Sequence, residues 1–190
     1  MMKTLYILLT RVPTAASRVI RLATGDAYTH VALAWDPALS TLCSFARRYW
    51  RFPIPAGLVQ EDVRAGNYIR HANIPCALLA LPVSDRVYDA VCRRAAAMLA
   101  ERRRYRYDYA GLISCRLGIR RQKAYAYFCS QFVADLLQQC GAVRLPKPPS
   151  LMRPQEFLTL PEVTCLYRGT IAELNHRLAC GLPPKPTHAC

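Results

Sequence analysis

Cys129 combines the residue type and the sequence position that nucleophilic catalysis requires. It follows an aromatic run at 125–128 and directly precedes SQFVADLL, a segment with the apolar spacing of an amphipathic helix. A thiol at a helix N-terminus lies near the positive end of the helix dipole and near unpaired backbone N–H groups, which favour the attacking thiolate. None of the other cysteines combines a helix start with an aromatic approach. We therefore expect Cys129 to be a nucleophile, and the structural alternative is a buried cysteine.

His30 is the histidine best placed to act as the base for this thiol. It opens the apolar segment HVALAW, which predicts a strand that holds the ring rigidly and leaves it reachable. His71 and His188 lie outside predicted regular structure, and His176 lies in a late helix. A cysteine nucleophile needs such a base, oriented by a third polar group. Sequence spacing alone supports the pair weakly, and the alternative for His30 is a half-buried strand histidine.

The apolar periodicity predicts an α+β domain in which strands and helices are interleaved. The predicted strands are Lys3–Thr10, His30–Trp35, Ser40–Arg47, Cys76–Val83 and Glu162–Tyr167. The predicted helices are Thr14–Ala23, one that begins after Ser84, Tyr109–Leu117, Ser130–Cys140 and Ile171–Leu178. The Pro- and Gly-containing segment Trp50–Ile74 is interpreted as a long surface connection.

Length and composition favour one folded domain over residues 1–180 and a loose tail over 181–190. The chain has 190 residues and is 53% apolar, which is enough for a core of its own. Its nine cysteines are odd in number and irregularly spaced, so they do not indicate a disulfide framework or a metal site. We expect neither a metal nor another cofactor. The apolar run at 5–9 is too short for a secretion signal, and no stretch approaches the roughly 20 apolar residues of a membrane span. These features predict a cytoplasmic protein.

The net charge of +14, from 26 Lys and Arg against 12 Asp and Glu, favours contact with an anionic surface. The basic segments lie at 93–94, 102–106 and 116–123. Solvated helix faces are the alternative explanation. The sequence carries no helix-turn-helix, zinc-finger or RNA-binding signature, so nucleic acid is not the expected partner.

Ordered segments of the sequence resemble the circularly permuted papain-like cysteine amidases and peptidases. The resemblance rests on LYILLTR, GDAYTHVALAWD, CSFARR, FCSQFVADLL and KPPSLMRPQEF. This superfamily contains YiiX-like proteins, NlpC-type relatives and lecithin retinol acyltransferase-like enzymes, and the sequence also resembles an uncharacterised bacterial branch of it over nearly its whole length. The resemblance implies a permuted NlpC-type fold with an antiparallel sheet packed against helices. It also implies that His30 and Cys129 face each other across the junction of sheet and helix.

The resemblance also implies a third catalytic residue on the strand after the histidine strand. Ser44 is the candidate there, because its neighbours Cys43 and Phe45 point to the opposite face of the strand. The fallback is Asp36, whose position in a turn favours a structural role. Two further residues are candidates for contact with substrate or oxyanion at either side of the pair, namely Tyr28 and Ser130.

The predicted function is hydrolysis of an amide, such as a peptide, γ-glutamyl or cell-wall-type peptide bond, through a thioester acyl-enzyme. The substrate is then a small peptide or another amide or acyl compound. Two alternatives remain open at this point. One is a lipid acyltransferase or hydrolase of the same fold, and the other is a non-catalytic module that binds nucleic acid or peptide.

Overall fold

The apolar segments form a six-stranded antiparallel sheet in the computed structural model, which describes residues 1–11, 25–48 and 56–181. The strands lie in the order β4–β3–β2–β1–β5–β8, and a separate two-stranded parallel pair joins β6 to β7. The strand bounds are β1 Met2–Thr10, β2 His30–Ala34, β3 Leu42–Arg47, β4 Ala56–Glu61, β5 Pro75–Ser84, β6 Arg106–Tyr107, β7 Ala126–Tyr127 and β8 Thr164–Thr170.

Five α-helices and two short 3-10 helices accompany the strands in the described residues. The α-helices are α1 Gly66–Arg70, α2 Asp85–Ala100, α3 Tyr109–Arg116, α4 Cys129–Gln139 and α5 Ile171–Ala179. The 3-10 helices are Pro149–Leu151 and Pro154–Thr159. The antiparallel sheet with its helices confirms the predicted α+β class.

Side-chain alternation along the strands divides the apolar residues into two cores, one on each face of the sheet. On β1, Ile7 and Leu9 belong to the first core, which also takes side chains from α2 and α4. Leu8, between them, belongs to the second core, together with Tyr68 of α1 and Leu174 of α5. Because successive strand side chains point to opposite faces, this pattern fixes which face each polar strand residue occupies.

Local sequence signals explain where α2 begins and where α4 ends. Ser84 caps α2, as predicted, since its hydroxyl accepts a hydrogen bond from the Val87 N–H at 3.4 Å. Gly141 follows α4 with a φ of 74°, a left-handed conformation that glycine adopts without steric cost. This confirms the predicted end of the helix after Cys129.

The segment 50–74 contradicts its interpretation as a surface connection. It contains a strand, β4, and a short helix, α1. Proline and glycine near the start of the segment concealed the strand, because β4 lies at the edge of the sheet, where such residues are tolerated. The predicted helix at 14–23 and most of the predicted tail lie outside the described residues.

Candidate active site

Cys129 is the first residue of α4 and lies at the buried N-terminus of that helix. Phe128, at the N-cap position, has extended backbone and is fully buried. Within the described part of the chain no side chain caps this helix, because phenylalanine has no hydrogen-bonding group. The first-turn N–H groups are therefore left for the sulfur or for a ligand.

Three polar groups lie around the sulfur of Cys129 and favour its ionised form. They are the backbone N–H groups of Val31 and Ser130 and the hydroxyl of Tyr107. The positive charge of Arg116 also acts on the thiol. These groups come from β2, α4, β6 and α3, so four elements together define the position of the sulfur.

The protonation of Cys129 differs from the sequence-based expectation of a favoured thiolate. Burial raises the pKa of the Cys129 thiol above its ordinary value, and the three donors and Arg116 lower it only in part. The side chain is just 3% exposed, so the desolvation of a sulfur anion outweighs the helix terminus and the nearby cation. A raised pKa keeps this thiol protonated near neutral pH, so a nucleophilic role would require a base.

His30 opens β2 and is 8% exposed. Burial lowers the pKa of His30 from 6.5 to about 4, because an imidazolium is poorly solvated at this position. The ring is therefore neutral near pH 7, and the same burial makes it a weaker base than an exposed imidazole.

Glu61 is the third polar residue of the site, and the sequence reasoning missed it. It ends β4, and its Oε2 lies 3.9 Å from Nε2 of His30. The same oxygen accepts a hydrogen bond of 2.8 Å from the Ser44 hydroxyl. Burial raises the pKa of Glu61, and the bond from Ser44 opposes that shift. A prediction of the edge strand β4 would have pointed to Glu61. The proline and glycine residues near its start made this segment resemble a loop.

Ser44 lies on β3 as expected, but it reaches His30 through Glu61. Its neighbours Cys43 and Phe45 belong to the first core, so Ser44 faces the other side of the sheet. The structure corrects the role predicted for Ser44: its hydroxyl holds the carboxyl group beside the imidazole.

Asp36 has the structural role expected for its turn position. Its carboxyl oxygens accept hydrogen bonds from the backbone N–H groups of Ser40, at 3.0 Å, and Thr41, at 3.1 Å. Both hydroxyl groups also donate to it. These bonds lower the pKa of Asp36 and close the turn between β2 and β3.

Cys129 and His30 are both linked to the backbone at the start of β2. Val31, whose N–H donates to the sulfur, follows His30 directly. Helix α4 packs on β2 and β3 from the first-core side, whereas alternation turns His30 toward Glu61 and Ser44. Among the described residues, β2 and β3 form a backbone pair only at Leu33 and Cys43. The two strands are therefore not paired beside His30. Alternation therefore places the imidazole on the second-core face and Cys129 on the first-core face, and within the described ranges no hydrogen bond joins the two side chains that were expected to face each other.

Tyr68 of α1 is a second tyrosine near these groups. It is 4% exposed, and its hydroxyl has no hydrogen-bond partner in the described structure. Burial raises the pKa of Tyr68 well above 10, and the charges of Glu61 and Cys129 act in the same direction.

A buried ion pair holds the loop before His30 against α3. Oδ2 of Asp26, which is 5% exposed, accepts a hydrogen bond of 2.9 Å from Arg116. Arg153 also contacts this carboxylate, at 3.2 Å. The next residue, Ala27, donates its N–H to Gln155 at 3.0 Å. The network fixes the approach to His30 relative to Arg116, the residue whose charge acts on Cys129.

The two remaining candidates, Tyr28 and Ser130, have different surroundings. Ser130 contributes its N–H to the sulfur, and its buried hydroxyl has no partner in the described residues. Tyr28 is 7% exposed and packs in the first core. Burial raises the pKa of Tyr28, and its charged neighbours, led by Arg168, lie on or next to β1, β5 and β8. The structure therefore gives Tyr28 a packing position, and its predicted contact with substrate gains no support.

No cluster of three metal-ligating side chains occurs within 1–11, 25–48 and 56–181. In the same ranges no helix combines the length and the apolar character needed to cross a bilayer.

Comparison with known proteins gives no relative that would assign this site. No family model matches the chain, and neither a curated protein nor a solved structure matches it significantly.

Proposed function

We propose that the chain is a cysteine hydrolase of the circularly permuted papain-like type that cleaves an amide bond. The observation that carries the proposal is the position of the Cys129 thiol at the uncapped start of α4, where the Val31 and Ser130 N–H groups and the Tyr107 hydroxyl act on it. The contacts from His30 to Glu61 and from Glu61 to Ser44 support it further. In this proposal Cys129 is the nucleophile, His30 is the base and Glu61 orients the base, which are the three roles that acyl transfer through a thiol requires.

In the first half of the reaction the Cys129 sulfur attacks the carbonyl carbon while its proton passes to His30. The oxyanion that forms takes hydrogen bonds from donors that now surround the sulfur, namely the Ser130 N–H and the Tyr107 hydroxyl. His30 then gives the proton to the leaving amine, the carbon–nitrogen bond breaks, and a thioester remains.

In the second half water replaces the amine. His30 takes a proton from water as the oxygen attacks the thioester, and the acid product leaves when the carbon–sulfur bond breaks and the thiol is reprotonated. Glu61 stabilises the imidazolium that forms in each half, because its oxygen lies 3.9 Å from the ring nitrogen. Ser44 keeps that carboxyl group in place.

An acyl-transfer assay with p-nitrophenyl acetate tests this proposal without knowledge of the natural substrate. Cys180 is exposed and Cys92 and Cys140 are half-buried, so these three and Cys190 are replaced by serine to remove background thiols. We expect acetyl transfer to the peptide that contains Cys129, followed by hydrolysis, and no turnover in Cys129→Ala. Equal turnover in a folded Cys129→Ala protein would rule the assignment out in favour of a binding module.

A further inference from the structure

Helix α3 exposes large apolar side chains at helical spacing. Ile113 is 63% exposed, and Leu117, four residues later at the C-terminal cap, is 68% exposed. Ile119, just beyond the helix, is 56% exposed. Residues four apart lie on one side of a helix, so Ile113 and Leu117 share one side of α3, and Ile119 adds a third exposed apolar side chain just beyond its end.

Basic residues follow these apolar side chains in the chain, and no acidic residue lies among them. The segment 109–125 contains no Asp or Glu, whereas Arg120, Arg121 and Lys123 are all exposed. Arg121 retains 45% exposure although it lies 3.8 Å from Asp108. We call Ile113, Leu117, Ile119, Arg120, Arg121 and Lys123 the α3 patch.

Helix α3 lies beside the candidate active site. Tyr109, which begins α3, packs against Tyr107 with ring centroids 4.6 Å apart. The Tyr107 hydroxyl and Arg116, the residue before Leu117, both act on the Cys129 thiol. The helix that begins the patch therefore borders the candidate site.

We propose that the α3 patch docks on an anionic lipid bilayer. Exposed apolar side chains at the end of a short helix, followed directly by arginine and lysine, suit the boundary between headgroups and acyl chains. Each cation near an anionic leaflet adds to the attraction. A second copy of this chain fits worse, because both copies carry a net charge of +14 and would bring the same cations together.

Docking at this position implies that the acyl or amide group that reaches Cys129 is carried by a lipid or held at a membrane surface. This statement about substrate rests on the proposed function, whereas the docking itself does not. The two are separated by Cys129→Ala, which is expected to lose hydrolysis and to bind vesicles as the parent chain does.

Co-sedimentation of the full chain with vesicles tests the docking. We expect binding to vesicles of phosphatidylcholine with phosphatidylglycerol, and about tenfold weaker binding for Ile113→Asp or Leu117→Asp. Replacing Arg120, Arg121 and Lys123 by glutamine is expected to weaken binding about a hundredfold, as is the use of phosphatidylcholine alone.

Matched controls separate the α3 patch from general charge and general apolar exposure. Ile69→Asp changes an isoleucine of similar exposure, 58%, on α1. Glutamine at Arg86, Arg93 and Arg94 removes the same charge from the groove between α2 and α4. Both controls should bind vesicles like the parent. Equal losses in control and patch variants would overturn the proposal, as would a parent chain that binds no vesicles and dimerises through Ile113 in sedimentation velocity.

Discussion

The carboxyl group of Glu61 lies 3.9 Å from the imidazole of His30, although the two residues are carried by strands that are not adjacent in the sheet. The intervening strand β3 supplies Ser44, which donates to the same carboxyl oxygen. Three strands therefore hold His30, Glu61 and Ser44 together, and Cys129 is supplied by helix α4.

Glu61→Gln should reduce acyl transfer about ten- to a hundredfold without loss of fold. The amide oxygen still accepts the Ser44 bond, but it carries no charge to stabilise the imidazolium. Ser44→Ala should cost only a few-fold, because it removes the support of Glu61 and leaves the carboxyl group present. Steady-state rates with p-nitrophenyl acetate check this order, and a larger loss in Ser44→Ala would contradict it.

Tyr107→Phe should slow acyl transfer about tenfold or more, because a donor to the sulfur and to the oxyanion is removed. Tyr68→Phe is the matched control. Its hydroxyl is buried without a partner in the described residues, so its removal should leave the rate unchanged and keep or raise the free energy of unfolding. Rates and urea unfolding are measured on both variants. Similar rate losses in the two would argue against a specific role for Tyr107.

Arg116→Met should move the pH profile of Cys129 alkylation to higher pH. The guanidinium lowers the pKa of the thiol, so its removal leaves the effect of burial less opposed. Arg153 still contacts Asp26 in this variant, which limits the structural damage. The alkylation rate is followed by peptide mass spectrometry across pH. An unchanged profile in a folded variant would show that Arg116 does not act on the sulfur.

His30 should make the folded state sensitive to acid. The unfolded chain binds this proton near pH 6.5 and the folded chain only near pH 4, so stability is complete above 6.5 and falls by about 3 kcal/mol toward pH 4. The raised pKa of Glu61 acts in the opposite sense, since it favours the folded state at low pH. The comparison is therefore made in Glu61→Gln, with and without His30→Gln, by urea unfolding at pH 7 and pH 4.5. Equal acid losses in the two proteins would contradict a buried, neutral His30.

The sequence was sufficient for the elements with strong local signals. The apolar segments of β1, β2 and β5 and the stripe of α2 were predicted within a few residues, and Ser84 and Gly141 marked helix ends correctly. These features depend on residues close together in the chain, which is why periodicity and caps reveal them.

The rest of the site depends on tertiary contacts that periodicity does not encode. Glu61 was missed because an edge strand tolerates the proline and glycine that also typify loops. The sequence also did not reveal how deeply Cys129 is buried, at 3% exposure, and this burial raises the pKa of a thiol that the helix N-terminus was expected to lower. Ser44 was placed on the correct face, and its partner was not predicted.

The most direct test of the account is the rate at which iodoacetamide alkylates Cys129 near neutral pH in the parent chain and in His30→Ala. Burial keeps the sulfur protonated, so modification requires a base, and the smaller alanine can only widen access to the thiol. Cys180, Cys92, Cys140 and Cys190 are replaced by serine beforehand. We expect selective alkylation of Cys129 in the parent and a rate at least about tenfold lower in His30→Ala. Equal or faster alkylation in His30→Ala would show that the two residues do not act together.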